Sequence, residues 1–297
     1  MQKEIKMTRP TEEHNEIKVV GVVVLYHPDE ETYANICTYL PNLEVLYALD
    51  NTENPEPGIA HKIAELPNVK YIPFHDNKGL SYALNYALNQ ANGQTFLLTM
   101  DQDSAFPPYM LDRYISSISD MANRDDIAMF AVNYTGLKEA KNLHGSHFVK
   151  AAITSGSMVN VDIARKIGGF DENLFIDEVD DEFCYRAGEN GFKILLMSDI
   201  KLTHHLGNPR QYNILGYRFT VLNHSPIRKY YIVRNRLYVA QKYPFIRRYY
   251  EQALIKMFVK VLFFESDKLA KLKLMLEGIR DFHHHCFGKY KYMKAKE

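Results

Sequence analysis

A run of β-branched residues near the N-terminus constrains the fold more than any other segment. Val19–Tyr26 reads VVGVVVLY, a continuous apolar stretch that Pro28 ends. Strands buried on both faces, as in parallel sheets, carry such continuous apolar runs rather than alternating ones. The run therefore predicts a central strand of a parallel sheet that helices cover on both sides.

The segments that follow repeat this alternation. Strands are predicted at 43–49, 69–74 and 96–100, and helices at 30–40, 58–66 and 79–91. Strands that alternate with helices at this spacing form βαβ units and a mostly parallel sheet. Further strands are predicted at 127–132, 157–161, 193–197 and 201–205, a helix at 181–190, and amphipathic helices at 229–242, 245–264 and 266–285. We expect a flexible stretch at 1–16, an α/β domain at 17–215 and a basic helical region at 216–297.

Cysteine content and the N-terminus both bear on the compartment. Cys37, Cys184 and Cys286 are odd in number and far apart, which argues against a disulfide framework and against a zinc cluster. A reducing cytoplasm suits such a chain. The N-terminus is charged and lacks an apolar core, and the chain has no run of about 18 apolar residues. We therefore expect a cytoplasmic protein whose contact with a membrane is at most peripheral.

The net charge of zero conceals a division along the chain. Residues 209–297 hold 19 Lys and Arg against 6 Asp and Glu, and the preceding residues hold 17 against 30. A basic segment interleaved with aromatic and aliphatic residues suits an anionic membrane surface or an anionic substrate. No recognised nucleic-acid-binding motif accompanies it, so nucleic acid is the less favoured partner.

Polar residues follow three of the predicted strands where each strand ends. They are Tyr26-His27, Asp50-Asn51 and Asp101-Gln102-Asp103. Ligands of open α/β sheets bind outside the carboxyl ends of the strands. Asp101 and Asp103 can share one hard cation such as Mg²⁺ or Mn²⁺, which then bridges to phosphate oxygens. An acidic turn without a metal is the alternative interpretation of an isolated Asp-x-Asp.

Three further motifs are ambiguous by themselves. The stretch IDEVDDEFCYR, at 176–186, holds five carboxylates, and it predicts either a general base near a cleft or a solvated acidic helix start. His204-His205 supplies either a metal ligand or surface groups. Asn77-Lys78-Gly79, ahead of a helix, suits phosphate binding or a plain helix entry.

Together, the ordered motifs resemble glycosyltransferase family 2. They are VVGVVVLYHP, ALDN, NKGLSYALNYAL, LLTMDQD, TSGSMVNVDIARKIGGFDENLFID, VDDEFCYRAGENGFKI and HHLGNP, and they span about 18 to 240. The resemblance implies a GT-A fold, a Rossmann-like, mostly parallel sheet flanked by helices, here with a C-terminal helical extension. The segment KYYIVRNRLYVAQKY and the acidic stretch look most like the bacterial rhamnosyltransferase branch.

The resemblance also implies residue roles. The nucleotide-sugar pocket would comprise Tyr26, Asp50, Asn51, Asn77, Gly79, Asn85, Asp101 and Gln102. Mg²⁺ or Mn²⁺ would lie on Asp101 and Asp103, with His204, or in its place His205, completing the metal site. Asp180 would be the general base. Asp181 is the alternate, because the family's Glu-Asp pair reads Val179-Asp180 in this chain.

The implied reaction is an inverting transfer of the kind used in cell-wall or O-antigen polysaccharide synthesis at the inner face of the membrane. The expected donor is dTDP-rhamnose, with UDP-galactose, UDP-glucose and UDP-galactofuranose as alternatives. The acceptor would be a glycan or a polyprenyl-diphosphate-linked glycan. The C-terminal region would contact the membrane peripherally or form a homodimer interface. The chain lacks Trp and with it the Q/R-x-x-R-W motif of processive synthases, which favours single-sugar transfer.

Two rival classes share parts of this pattern. A nucleotidyltransferase would have the same sheet and carboxylate pair, but it would normally carry a Gly-rich, basic loop after the first strand, where this chain reads VVVLYHPDEE. A non-catalytic sugar-nucleotide-binding protein would not need both the Asp pair and Asp180.

Overall fold

The computed structural model describes residues 17–122, 124–134, 144–204, 210–214 and 217–290, with the side chains of 204, 210–214 and 217–221 excepted. The strands are β1 Val19–Leu25, β2 Val45–Asp50, β3 Val69–Pro73, β4 Phe96–Asp101, β5 Ser104–Ala105, β6 Ile127–Tyr134, β7 Ser146–Val149, β8 Ser157–Asn160, β9 Lys193–His204, β10 Arg210–Ile214 and β11 Tyr217–Val221. The helices are α1 Glu30–Cys37, α2 Pro57–Ala64, α3 Leu80–Gln90, α4 Met110–Ser119, α5 Val161–Lys166, α6 Val179–Glu189, α7 Pro226–Lys242, α8 Arg247–Phe264 and α9 Lys268–His283.

A single large sheet organises these elements. Its strand order is β3-β2-β1-β4-β8-β6-β9-β5, with β7 also paired to β9, while β10 and β11 form a separate hairpin. The four strands from β3 to β4 are parallel, and β8 runs antiparallel to β4 and β6. Apolar side chains form a core on each face of the sheet. The expected mostly parallel, helix-flanked α/β architecture is confirmed.

The structure corrects one strand prediction. The two strands predicted at 193–197 and 201–205 are one continuous strand, β9, which pairs with β6 across an irregularity. Met197 lies opposite Val132, and the next pair is Lys201 with Asn133, so 198–200 are looped out of the ladder. The polar pair Ser198-Asp199 in this loop gave the sequence the pattern of a turn between two strands.

Short elements account for most of what the sequence pattern missed. The prediction did not include α4, α5, β5, β7 or the β10–β11 hairpin. A two-residue strand such as β5 has no periodicity, because its place depends on the partner strand rather than on its own residues.

The C-terminal helices pack on the sheet domain as well as on one another. Val239, Ala240, Tyr243 and Tyr250 belong to the same buried cluster as the helices that cover one face of the sheet. A smaller cluster joins α7, α8 and α9 to each other. The domain boundary predicted near 215 therefore separates helices that share a core with the residues before it. In the described part of the chain, no helix has the length and apolar character needed to cross a membrane.

Candidate active site

The carboxyl edge of the parallel strands gathers the three polar groups that the sequence singled out. Leu25 of β1 lies opposite Asp50 of β2, and Val24 lies opposite Asp101 of β4. The loops that follow β1, β2 and β4 therefore emerge side by side. The topology thus brings together the strand-end residues that were predicted to form a site.

Within Asp101-Gln102-Asp103, the central glutamine joins two loops. Its side-chain Oε1 accepts from the Tyr26 N–H at 2.7 Å, and its Nε2 donates to the Tyr26 carbonyl at 3.1 Å. The Asn35 amide donates to the Gln102 carbonyl at 3.0 Å. These two hydrogen bonds hold the loop after β1 against the loop after β4. A direct contact between Gln102 and the nucleotide stays a prediction.

The two carboxylates of the motif lie at a junction of strands. The Asp101 N–H donates to Ser155 Oγ at 3.1 Å, and Ser155 Oγ donates to Ser104 Oγ at 2.8 Å. Ser104, which follows Asp103, is paired with His204 in the antiparallel β5–β9 ladder. The backbone of His204 thus lies beside the Asp pair, although its side chain, like the whole of His205, is outside the described residues.

The two carboxylates of Asp101 and Asp103 supply oxygen ligands of the kind that suit Mg²⁺ or Mn²⁺. Both residues are half-buried, and Oδ1 of Asp103 is buried. Among the side chains that the structure describes, no group of three or more His, Cys, Asp or Glu is poised to hold a metal ion. Asp101 and Asp103 by themselves therefore fit only part of the ligand shell of such a cation.

Asp50 and Asn51 are buried at the carboxyl end of β2. The Asp50 carboxylate accepts from the Thr52 N–H at 2.8 Å and from the Tyr71 hydroxyl at 2.6 Å. Asn51 accepts from the Lys78 N–H at 3.0 Å and donates to the Gly79 carbonyl at 3.3 Å. These bonds tie the loop after β2 to the turn before α3. The place of both residues in the nucleotide-sugar pocket stays a prediction.

The turn before α3 approaches the acidic stretch closely. Asn77 Oδ1 accepts from the Gly79 N–H at 3.1 Å, and Gly79 has φ +87°. A Cβ on Gly79 would lie 2.6 Å from both the ring and the carbonyl oxygen of Phe175. The Leu80 N–H donates to that same carbonyl at 2.7 Å. The glycine is therefore explained by protein packing, whether or not a phosphate also binds there.

Asn85, one further turn along α3, has a similar clamping role. Its Oδ1 accepts from the Phe170 N–H at 2.7 Å, and its Nδ2 donates to the Phe170 carbonyl and to Glu172, each at 2.8 Å. Asn85 thus holds the turn that leads into the acidic stretch. Its predicted place in the nucleotide pocket stays a prediction.

The acidic stretch forms a tight loop followed by α6. Asp177 and Glu178 both have left-handed backbone conformations, with φ 63° and 66°. Such conformations are uncommon for residues other than glycine and need support from their surroundings. The side-chain amide of Asn235 provides it, donating to the carbonyls of Ile176 at 2.7 Å and Asp177 at 3.2 Å.

Asp180 and Asp181 occupy the first turn of α6. Because α6 leads through a short turn into the amino end of β9, its own N-terminus lies toward the carboxyl edge of the sheet. Cys184 Sγ lies 3.7 Å from the Ala152 carbonyl, and 152–155 leads directly to the Ser155 that contacts Asp101. The predicted base and the predicted metal pair thus flank one short segment.

Burial and neighbouring negative charge disfavour the ionised form of both aspartates and so raise their pKa values. Burial, then the charges of Asp181 and Glu178, raise the pKa of Asp180 well above its ordinary value. Burial and Glu178 raise the pKa of Asp181 to about 6, against a hydrogen bond from Tyr250 that lowers it. A carboxylate with a raised pKa is a stronger base than one in water, as general-base catalysis requires.

The C-terminal helices supply residues to this site that sequence reasoning missed. Arg236 Nε donates to Glu178 Oε1 at 2.7 Å. Tyr250 Oη lies 2.5 Å from Glu178 Oε2 and 2.9 Å from Asp181 Oδ2. Nothing in the sequence pointed to these pairs, since the partners are 58 to 72 residues apart.

A lysine from beyond α9 reaches the loop that follows β3. Lys289 forms an ion pair with Asp76, as does Lys78 at 2.7 Å. Partial burial raises the pKa of Asp76, but hydrogen bonds from these two lysines lower it to about 2. Burial and the charge of Glu53 raise the pKa of Tyr26, and the charge of Lys289 lowers it. The segment after α9 is thus held against the loop that follows β3.

These contacts change the interpretation of the charge division. Arg228 pairs with Asp177 at 3.1 Å, and Arg236 pairs with Glu178. Lys242 contacts Glu182 at 2.7 Å and Asp171 at 3.1 Å. Basic residues of α7 therefore neutralise the acidic stretch internally. Among the described residues, α8 and α9 also carry exposed cations, including Arg248, Lys256, Lys268 and Lys273.

The assembled edge therefore has the parts of a group-transfer centre for a phosphorylated donor. A family model described as glycosyl transferase family 2 matches residues 30–177. A curated relative, dTDP-rhamnosyl transferase RfbF of Shigella flexneri, is 28% identical over 243 residues, which cover 75% of this chain and 80% of the relative. Residues 30–177 therefore form a glycosyltransferase family 2 domain, and the chain is a glycosyltransferase.

Solved structures share the fold at low sequence identity. GalNAc-T7, crystallised with UDP, GalNAc and Mn²⁺, matches with a TM-score of 0.55 and 14% identity, over 74% of this chain and 47% of that chain. Residues 1–349 of S. aureus TarS, in complex with UDP-GlcNAc, match with a TM-score of 0.53 and 15% identity, over 90% of this chain and 73% of that chain. These similarities support the GT-A-like architecture.

Proposed function

We propose that this enzyme transfers L-rhamnose from dTDP-rhamnose, with inversion, onto a glycan or lipid-linked acceptor in cell-surface polysaccharide synthesis. The observation that carries the mechanism is the shared segment 152–155, which contacts the Asp101 side of the site at one end and α6, with Asp180, at the other. The donor assignment is supported by the relative from Shigella flexneri, whose name states dTDP-rhamnosyl transfer.

In the proposed reaction, Asp180 accepts the proton of an acceptor hydroxyl while the hydroxyl oxygen attacks C1 of the donor sugar. The C1–oxygen bond to the diphosphate breaks, and nucleoside diphosphate leaves with the bonding pair. A single displacement inverts the anomeric carbon, so the enzyme needs no covalent intermediate. Asp101, Asp103 and His204 would hold Mg²⁺ or Mn²⁺, which supplies positive charge to the leaving diphosphate.

Replacement of Asp180 tests this mechanism. Asp180→Asn removes the basic oxygen at constant size, and transfer should fall roughly 100-fold or more. Donor binding, measured by a thermal shift, should persist. Asp162→Asn, an exposed change on α5, is the matched control and should have wild-type activity. If Asp180→Asn keeps most of its activity while Asp181→Asn loses it, the base is Asp181.

The donor is open to a direct comparison. UDP-sugars remain alternatives, since GalNAc-T7 and TarS were crystallised with UDP or UDP-GlcNAc. A ligand at about 100 times its dissociation constant stabilises the folded state by about 2.7 kcal/mol. The melting temperature with Mn²⁺ should rise more with dTDP-rhamnose than with UDP-galactose, UDP-glucose or UDP-galactofuranose. A larger rise with one of the UDP-sugars would reassign the donor.

We further propose that the enzyme is cytoplasmic and that α8 rests on the inner face of the membrane. Four large apolar side chains project from α8 into solvent, namely Ile255, Val259, Leu262 and Phe263. Exposed Arg248 and Lys256 lie on the same helix. Apolar groups bordered by cations suit an anionic lipid surface, which is where a polyprenyl-linked acceptor would be found.

Liposome flotation tests the membrane contact. The wild-type enzyme should float with anionic vesicles at low salt, and Leu262→Ser with Phe263→Ser should abolish flotation. Tyr109→Ser, at another exposed aromatic residue, should leave it unchanged. If vesicles are not bound, and the two α8 changes instead convert a dimer into a monomer, this helix face is a homodimer interface.

A further inference from the structure

The phenol of Tyr250 lies between two carboxylates next to the proposed base. Its oxygen is 2.5 Å from Glu178 Oε2 and 2.9 Å from Asp181 Oδ2. A phenol carries a single donor hydrogen, so it cannot donate to both carboxylates at once. Two close contacts are satisfied together when one carboxyl holds a proton and the other is ionised. The arrangement of Glu178, Tyr250 and Asp181 therefore suits a state in which the two carboxyl groups hold one proton between them.

The charges around the trio favour the same arrangement. Glu178 has the Arg236 guanidinium as a partner, and Asp177 has Arg228. Asp181 and Asp180 receive no ion pair of this kind among the described contacts. Three adjacent, largely buried carboxylates facing one cation retain a proton more easily than they ionise completely.

Other ionisable groups also face this cluster. The described ones are Tyr134 on β6, Cys184 and Tyr185 on α6, Arg236 on α7 and Tyr250 on α8. Burial raises the pKa values of Tyr134, Cys184 and Tyr185, so these three stay neutral near pH 7. Arg236 is therefore the permanent charge that opposes the carboxylates.

We propose that Tyr250 is a positioning residue: it holds Glu178 and Asp181 as a proton-sharing pair beside Asp180, the carboxylate that meets the acceptor. This inference rests on the proposed role of Asp180 as base. It assigns the C-terminal helix α8 to the catalytic centre, where Tyr250 acts through the carboxylates and does not touch the substrate. The Arg236 guanidinium, 5.6 Å from the Tyr250 ring centre, holds the ring in place from the side.

Tyr250→Phe removes the hydroxyl and keeps the ring. We expect kcat to fall about tenfold, the loss of roughly one charge-assisted hydrogen bond, with the donor KM within about twofold of wild type. Without the donated hydrogen bond, the carboxylate cluster ionises less readily, so the acidic limb of the kcat–pH profile should move to higher pH. Tyr249→Phe, the exposed neighbour on the same helix, is the matched control.

The pH profile separates positioning from simple support of the fold, since a purely structural loss would lower kcat without moving the acidic limb. Arg236→Lys offers a second variant and should also move the limb upward, whereas Arg248→Lys at an exposed position should not. Wild-type kcat and an unmoved limb in Tyr250→Phe would overturn the proposal. If Asp180→Asn retains activity, the proposed role of Asp180 as the base fails; if Asp180→Asn loses activity but Tyr250→Phe behaves as the wild type does, only the role of Tyr250 fails.

Discussion

Arg236 Nε lies 2.7 Å from Glu178 Oε1, although the two residues are 58 positions apart in the chain. The glutamate is buried, and its backbone is in the left-handed conformation. An ion pair from α7 thus stabilises a strained loop that leads into the proposed catalytic helix. The C-terminal helix α7 is therefore in contact with the loop that leads to the proposed base. Mutation of either partner can test how much this contact contributes.

Loss of the Arg236 cation should destabilise the fold. Arg236→Met leaves the Glu178 carboxylate buried without its charged partner, a change that costs about 3 kcal/mol in comparable cases. The free energy of unfolding, measured in urea, should fall by that order. Arg248→Met, at an exposed position on α8, should change it by less than about 0.5 kcal/mol. Equal effects of the two changes would contradict the pairing.

Stability should depend on pH through Asp181. Its pKa of about 6 in the folded state lies above the ordinary value of 3.8, so the folded protein binds more protons than the unfolded chain between these two values. Stability should therefore rise as pH falls from about 7 to about 5, by on the order of 2 kcal/mol. Asp181→Asn should flatten this rise in a melting-temperature series. An identical slope in the variant would show that other groups titrate.

Alanine variants at two glycines distinguish the free-energy cost of backbone strain from the cost of a side-chain collision. Gly79 and Gly93 both have positive φ, +87° and +82°, but a Cβ on Gly93 meets nothing within 4 Å. Gly93→Ala should cost about 1 kcal/mol for the backbone alone. Gly79→Ala should cost roughly 2 kcal/mol more, because the new methyl group would collide with Phe175. Comparable melting temperatures for the two variants would argue against the close approach.

Divalent metal should strengthen donor binding through Asp103. Calorimetry should give tighter dTDP-rhamnose binding with Mn²⁺ than with EDTA for the wild-type enzyme. Asp103→Asn removes one charged metal ligand and should weaken binding in Mn²⁺ about tenfold or more, leaving little response to EDTA. Asp162→Asn, on the surface of α5, should respond as wild type does. A full metal response in Asp103→Asn would remove this residue from the site.

Local patterns in the sequence predicted the sheet well. The apolar runs of β1 and β4 mark strands buried on both faces, and their ends place Tyr26 and Asp101 at one edge without further information. The order of the family motifs gave the fold as well, and the comparisons confirm the family.

Pairings between distant side chains were beyond the sequence. Arg236 and Tyr250 read as members of a basic, aromatic helical region, because nothing in their own spacing reveals a buried carboxylate as the partner. In the same way, Asn85 and Gly79 matched nucleotide-binding positions by motif, whereas Asn85 bonds to Phe170 and Gly79 packs closely against Phe175. Such contacts depend on how helices pack, and periodicity carries no signal for packing partners.

The clamp of Asn235 on the loop at 176–178 has a consequence for biosynthesis. The loop's strained backbone is supported by α7, and its carboxylates by α7 and α8, so these groups lack their partners until those helices have been synthesised and have docked. The described arrangement of this loop is therefore reached only once more than 70 further residues have been added to the chain, as the separation of Glu178 and Tyr250 shows.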